Sequence, residues 1–70
     1  RVGEYLLRRH EIIETFLKLL GVKENILKET ELIEHNISAS TLERIELINT
    51  FFNENPDIFA KFKEFTKDFT

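Results

Sequence analysis

Apolar residues recur at intervals of three and four along almost the whole chain, and no stretch alternates strictly between apolar and polar residues. This spacing is the period of an α-helix and excludes a fold built on half-buried strands. The two glycines and the single proline lie near the ends of the apolar segments, where helices begin and end. The sequence therefore predicts an all-α fold, a small bundle of four helices.

Helix boundaries follow from local residues. The first helix is predicted over Val2–Leu20, with Gly21 as the left-handed residue that ends it. The second is predicted over Lys23–Asn36. The third is predicted to begin after residues 38–41, with Ser40 and Glu43 forming a capping box.

The fourth helix is predicted to begin at Asn55 and Pro56, as N-cap and first helical residue. Apolar residues then recur in a narrow seam suited to one partner helix: Ile58, Phe62, Phe65 and Phe69. The first helix carries two apolar stripes, which a chain of 70 residues has little means to hide. We therefore expect a homodimer that forms through the first helix and the Phe-rich helices. Alternatively, the phenylalanines fill one monomeric core.

Length and composition exclude several functions. A chain of 70 residues forms one small domain and not an enzyme with two lobes and a cleft. The absence of cysteine excludes disulfides and thiolate metal sites. The net charge of −3 has the wrong sign for a surface that binds nucleic acid. No apolar run approaches the roughly 20 residues that span a bilayer, so we expect no membrane partner and a cytoplasmic location.

The two histidines each have carboxylates at helical spacing. His10 precedes Glu14 by four residues, and Glu31, Glu34 and His35 follow one another at i, i+3 and i+4. If the two faces oppose each other, imidazoles and carboxylates converge on one point and offer the donors of a hard or borderline divalent cation. The alternative is that both faces are solvated helix surfaces.

Catalytic patterns are absent. Glu14 stands where an H-E-x-x-H zinc-protease helix needs its second histidine. The serines and threonines have no arranged base, and no glycine-rich phosphate loop exists. We therefore expect no enzymatic activity and no small-molecule substrate.

Two strings of residues carry a family resemblance: residues 7–22, LRRHEIIETFLKLLGV, and residues 31–38, ELIEHNIS. They resemble the metal-binding and dimerisation domain of the diphtheria-toxin-repressor family, and are closest to its manganese transport regulator branch. The resemblance covers residues 3–52, whereas residues 53–70 match less clearly.

The resemblance implies that His10, Glu31, Glu34 and His35 are metal ligands, with Glu34 bridging two ions and Glu14 a further possible ligand. Glu31 stands where the iron branch has cysteine, which favours Mn²⁺ over Fe²⁺, while Zn²⁺ is expected to bind in vitro. Residues 1–70 would form the metal-binding and dimerisation domain of a repressor that contacts DNA through an N-terminal winged helix absent from this chain. The chain begins at Arg1 and lacks methionine, which suggests a piece of a longer polypeptide.

A second class of function stays open at this point. Without metal, the same helices would form a protein-interaction module, with an amphipathic partner helix lying in a groove between the Phe-bearing helices.

Overall fold

The computed structural model describes the backbone of residues 2–69 and the side chains of residues 7–69. The backbone forms four helices: α1 (Val2–Leu20), α2 (Ile26–Glu34), α3 (Ala39–Glu54) and α4 (Pro56–Lys67). No strand occurs within residues 2–69, so the predicted all-α class is confirmed. No helix in this part of the chain has both the length and the apolar character needed to cross a bilayer.

The end of α1 is as predicted. Gly21 has a φ of 97°, a conformation that a residue with a Cβ atom rarely adopts. Its N–H donates to the carbonyl of Lys18 at 3.1 Å, and the N–H of Val22 donates to the carbonyl of Leu17 at 3.0 Å. These bonds satisfy two carbonyls of the last turn and reverse the chain toward α2.

The second helix is shorter than Lys23–Asn36, so its predicted bounds are wrong. It begins after Asn25, whose φ of 56° is left-handed and incompatible with a continuing helix. It ends at Glu34, because His35 caps it with a backbone N–H bond to the carbonyl of Ile33, and the Asn36 amide donates to the carbonyl of Leu32. His35 therefore lies just beyond the regular helix.

The start of α3 also corrects the sequence prediction. Ser38, and not Ser40, is the N-cap: its backbone is extended and its Oγ accepts a hydrogen bond from the N–H of Thr41 at 3.2 Å. Because the helix already begins at Ala39, Ser40 lies within the first turn and cannot form the capping box with Glu43.

Replacing Ser38 with Ala is expected to lower the free energy of unfolding by about 1 kcal/mol, since it leaves an N–H of the first turn without its acceptor. Ser40→Ala is the matched control and is expected to change stability by less than about 0.5 kcal/mol. Urea unfolding followed by circular dichroism measures both. A larger effect at Ser40 would restore the capping box as the true start of the helix.

The start of α4 at Pro56 is confirmed, with Asn55 as its N-cap residue. The Asn55 side chain, however, donates to the carbonyl of Phe51 in the last turn of α3 at 2.9 Å and does not cap α4. The carbonyl of Asn55 accepts from the N–H groups of Ile58 and Phe59, both at 3.0 Å. Asn55 therefore completes both helices at a single-residue connection.

The core lies where α1 packs against both α2 and α3. Its buried apolar residues are Ile12, Ile13, Leu17 and Leu42. A hydrogen bond also joins α3 to α1, since the Asn49 amide of α3 donates to the carbonyl of Ile12 at 3.0 Å. Thus α1 is the central helix, and it fixes the position of α2.

Within the described residues, the last helix packs on α3 alone, and none of its side chains is buried. The contact is aromatic: the ring centroid of Phe52 lies 5.4 Å from that of Phe59 and 5.6 Å from that of Phe62. Phe65 and Phe69, which were predicted to share the seam, are 61% and 73% exposed. Within the single chain, the C-terminal half of the seam therefore has no partner helix, and the phenylalanines do not all fill a monomeric core.

Candidate metal centre

Three predicted ligands meet between α1 and α2. Nδ1 of His10 on α1 lies 3.3 Å from Oε2 of Glu34 and 3.9 Å from Oε2 of Glu31, which is one turn earlier on α2. The convergence follows from the core, because α1 and α2 pack closely just beside these residues. The two predicted helix faces therefore do oppose each other at this point.

The burial of Glu34 makes this cluster unusual for a helix surface. Glu34 is only 8% exposed, and its Oε2 accepts no hydrogen bond from the described residues. A buried acceptor without a partner costs about 1–3 kcal/mol, and more if it is charged. A bound cation would remove that cost. Glu31 is exposed and His10 half-buried, so the cluster is open to solvent on one side.

The geometry fits one ion. His10, Glu31 and Glu34 each offer one ligand atom, and these atoms all lie within 4.8 Å of one another. Ligands bound to a single ion at about 2.0–2.6 Å lie at most about 5 Å apart. One imidazole and two carboxylates balance a divalent charge and match the preference of borderline and hard divalent ions such as Mn²⁺.

The other two predicted residues flank this triad. Oε1 of Glu14 lies 3.4 Å from Nε2 of His10, on the opposite edge of the imidazole from Glu34. His35 is outside the triad, and its side chain is 63% exposed because it follows the end of α2. Its Nε2 lies 3.6 Å from Oε1 of Glu34. The two imidazoles thus stand beside the two oxygens of one carboxylate.

Sequence reasoning missed Arg9, which holds the end of α2 in place. Its Nη2 donates to the backbone carbonyls of Glu34 and of Ile37, the latter at 3.0 Å. The carbonyl of Glu34 is in the last turn of α2, where intrahelical donors are lacking, and that of Ile37 lies in the connection to α3. The only signal in the sequence was the position of Arg9 beside His10. By binding the backbone of Glu34 from α1, Arg9 fixes the distance between the triad's two helices.

A helical domain with one imidazole and two carboxylates between its first two helices has the donors of a divalent-metal centre. Residues 1–62 match the family described as "Iron dependent repressor, metal binding and dimerisation domain". The chain belongs to this family, and the resemblance drawn from residues 7–22 and 31–38 is confirmed.

Curated relatives carry the name "HTH-type transcriptional regulator MntR". The one from Lysinibacillus sphaericus is 40% identical over 62 residues, which are 87% of this chain and 45% of the relative. Those from Geobacillus kaustophilus and Shouchella clausii are 41% and 37% identical, over 79% and 96% of this chain and 40% and 48% of the relatives. The chain thus spans a little under half the length of the relatives it matches. No solved structure matches it significantly.

Proposed function

We propose that this chain is the effector-sensing and dimerisation part of a divalent-metal-dependent repressor of transcription. The observation that carries the proposal is the buried Glu34 carboxylate, whose Oε2 faces His10 beside Glu31 and accepts no hydrogen bond from residues 7–69. His10, Glu31 and Glu34 would hold the first ion. The chemistry that the ion supplies is charge: it neutralises the carboxylates and joins α1 to α2.

Mn²⁺ is the effector that the donor set favours, with Fe²⁺ as the alternative. Both accept oxygen and imidazole ligands, and no thiolate is available to select a softer ion. Zn²⁺ generally binds such ligands more tightly than Mn²⁺ or Fe²⁺ does, so it would bind in vitro even if it is not the effector in the cell. The name MntR, which the relatives carry, is consistent with manganese as the effector.

His35 and Glu14 are proposed as outer members of the same centre. Oε1 of Glu34 lies near His35 and Oε2 lies near His10. The carboxylate would therefore bridge two ions, with His35 as a ligand of the second. Oε1 of Glu14 lies 3.4 Å from Nε2, on the other side of the His10 ring, and would orient the ring from outside the triad.

Three ligands leave coordination positions open on an octahedral ion, and other groups must fill them. In the proposed repressor they come from an N-terminal winged-helix domain, consistent with relatives about twice as long as this chain. Metal would then lock the orientation of that domain, and two copies would present two DNA-binding heads in the cytoplasm. This chain alone, with a net charge of −3, would contact DNA only through such a domain.

Isothermal titration with Mn²⁺ tests the ligand set. His10→Ala is expected to weaken binding more than about 100-fold, beyond the 10–100-fold typical of residues that only orient a ligand. His35→Ala is expected to weaken it about tenfold, because this exposed side chain lies outside the triad. Binding that survives His10→Ala unchanged would refute the site. A metal-free interaction module predicts no Mn²⁺ binding by any variant.

A second titration tests the shared centre. The same chain joined to an N-terminal winged-helix domain, in a protein as long as the relatives, should bind Mn²⁺ at least tenfold more tightly than this chain alone, since added carboxylates complete the coordination. Equal affinities would show that the centre lies wholly within these residues.

A further inference from the structure

The connection between α2 and α3 carries His35, and its backbone decides where the His35 imidazole points. It follows Glu34, the last residue of α2, and precedes Ala39, the first residue of α3. The N–H of His35 still bonds to the carbonyl of Ile33, but no further turn of helix follows it. His35 is exposed, and an exposed side chain on an irregular segment keeps much of its conformational freedom. A contact that holds the connection therefore also restricts the imidazole.

Arg9 of α1 holds the connection on both sides of His35. Its Nη2 donates one hydrogen bond to the carbonyl of Glu34, directly before His35, and one to the carbonyl of Ile37, two residues after it, the latter at 3.0 Å. An Nη atom carries two hydrogens, and the guanidinium group is planar and rigid, so the two bonds fix direction as well as distance. The Arg9 side chain is half-buried, which limits competition from water.

Other hydrogen bonds of the connection are local. The N–H of Asn36 donates to the carbonyl of Ile33 in α2 at 2.9 Å, and Ser38 caps the first turn of α3. These bonds tie the connection to the two helices that it joins. The Arg9 bonds instead tie it to α1, the helix that carries His10. Arg9 thus relates the position of one imidazole to that of the other.

Arg9 holds Glu34 by its backbone and leaves Oε2 of its carboxylate open. That oxygen accepts no hydrogen bond from residues 7–69. The carbonyl of Glu34 lies at the C-terminal end of α2, where the helix dipole is negative, so it offsets part of the guanidinium charge. A cationic group placed there opposes the binding of a metal ion less than one placed against the carboxylate would.

We propose that Arg9 is a positioning residue for the second ion: by holding the carbonyls on either side of His35, it keeps Nε2 of His35 beside Oε1 of Glu34, at 3.6 Å. This inference rests on the proposed function, which assigns His35 to a second ion, and adds the residue on which that assignment depends. The triad depends on Arg9 less than His35 does, because its three residues lie within α1 and α2, which the buried core also holds together.

A double-mutant cycle tests the proposal through the affinity for Mn²⁺ in isothermal titration. Arg9→Gln is expected to weaken binding about tenfold, as His35→Ala does, because each removes the contribution of the same imidazole. The double variant is expected to bind as weakly as either single variant and no more weakly. If Arg9 only supported the fold, the two losses would combine to about 100-fold.

Two further variants complete the cycle. Arg9→Lys keeps the charge and N–H donors but not their planar arrangement, so it should recover part of the loss. If Arg9→Gln does not fold, Arg9→Lys takes its place, and its smaller loss should vanish in the His35→Ala background. Arg8→Gln is the matched control, because the guanidinium group of Arg8 pairs with Glu46 of α3 at 2.6 Å and its removal should leave the affinity for Mn²⁺ unchanged.

Hydrogen exchange in the presence of a chelator reports on the connection without metal. The amide of Asn36 is expected to exchange about tenfold faster in Arg9→Gln than in the wild type, because the loss of two hydrogen bonds loosens the turn. In Arg8→Gln it should exchange at the wild-type rate. Equal rates in all three chains would show that the connection does not need Arg9 and would overturn the proposal.

The titrations separate this inference from the proposed function. If Arg9→Gln binds Mn²⁺ like the wild type, or if its loss adds to that of His35→Ala, Arg9 is not a positioning residue and the centre stands. If His35→Ala changes nothing while His10→Ala weakens binding, His35 is not a ligand, and the inference fails with the triad intact. If His10→Ala changes nothing, the centre itself fails.

Discussion

Replacing Glu34 with Gln is expected to leave the metal-free domain as stable as the wild type or slightly more stable, and to remove the stabilisation that Mn²⁺ provides. Both effects come from one atom. Oε2 of Glu34 is buried and accepts no hydrogen bond from the described residues, so without a cation the carboxylate lowers the free energy of unfolding. A glutamine has the same shape without the charge, and it keeps the bonds that Arg9 makes to the backbone.

With metal bound, the wild type is expected to be more stable than Glu34→Gln. A ligand that binds only the folded state adds about 2.7 kcal/mol to the free energy of unfolding at a concentration 100 times its dissociation constant. The neutral amide of Gln cannot replace the carboxylate whose two oxygens face His10 and His35, so the variant should gain almost none of this stabilisation.

Urea unfolding with excess Mn²⁺ and with a chelator measures both states. Glu29→Gln removes a carboxylate from the exposed side of the same helix and is expected to respond to Mn²⁺ like the wild type. If Glu34→Gln instead destabilised the metal-free domain by about 2 kcal/mol or more and kept the full response to Mn²⁺, Glu34 would be a structural residue.

The sequence predicted those parts of the fold that depend on local backbone chemistry. Gly21 ends α1 because glycine readily adopts a positive φ, and Pro56 begins α4 because the fixed φ of proline suits the first helical position. The bounds of α2 were not predictable in this way. They depend on Asn25 in a left-handed conformation and on the Asn36 amide. Asparagine favours caps and turns only as a tendency, so the residue type alone does not mark the two ends of α2.

The candidate site was predicted where helical spacing holds and not where the helix stops. Glu31 and Glu34 lie one turn apart within α2, so their common direction followed from the sequence. His35 was assigned to the same face on the assumption that the helix continued to Asn36. Arg9 was not predicted, because its partners are backbone carbonyls of another helix, which sequence patterns do not mark.

Replacing Ile13 with Ala is expected to cost about 2–5 kcal/mol, the largest loss of stability from any single truncation of this core. Ile13 is fully buried, and only Ile12, Leu17 and Leu42 join it as buried apolar residues within the described part of the chain. A domain of this size has a stability near the lower end of about 5–15 kcal/mol, so the substitution removes much of the total.

Excess Mn²⁺ should return part of this loss, because Ile13 is one turn along α1 from His10 and holds that helix against α2. At 100 times the dissociation constant the ion adds about 2.7 kcal/mol, enough to refold a variant near its midpoint. Leu32→Ala, at a position 56% exposed on α2, is the control and should change stability by less than about 0.5 kcal/mol. Thermal unfolding of both variants with and without Mn²⁺ measures the coupling. Equal losses at Ile13 and Leu32 would mean that the core does not lie between α1 and α2, and that the metal centre has no rigid support.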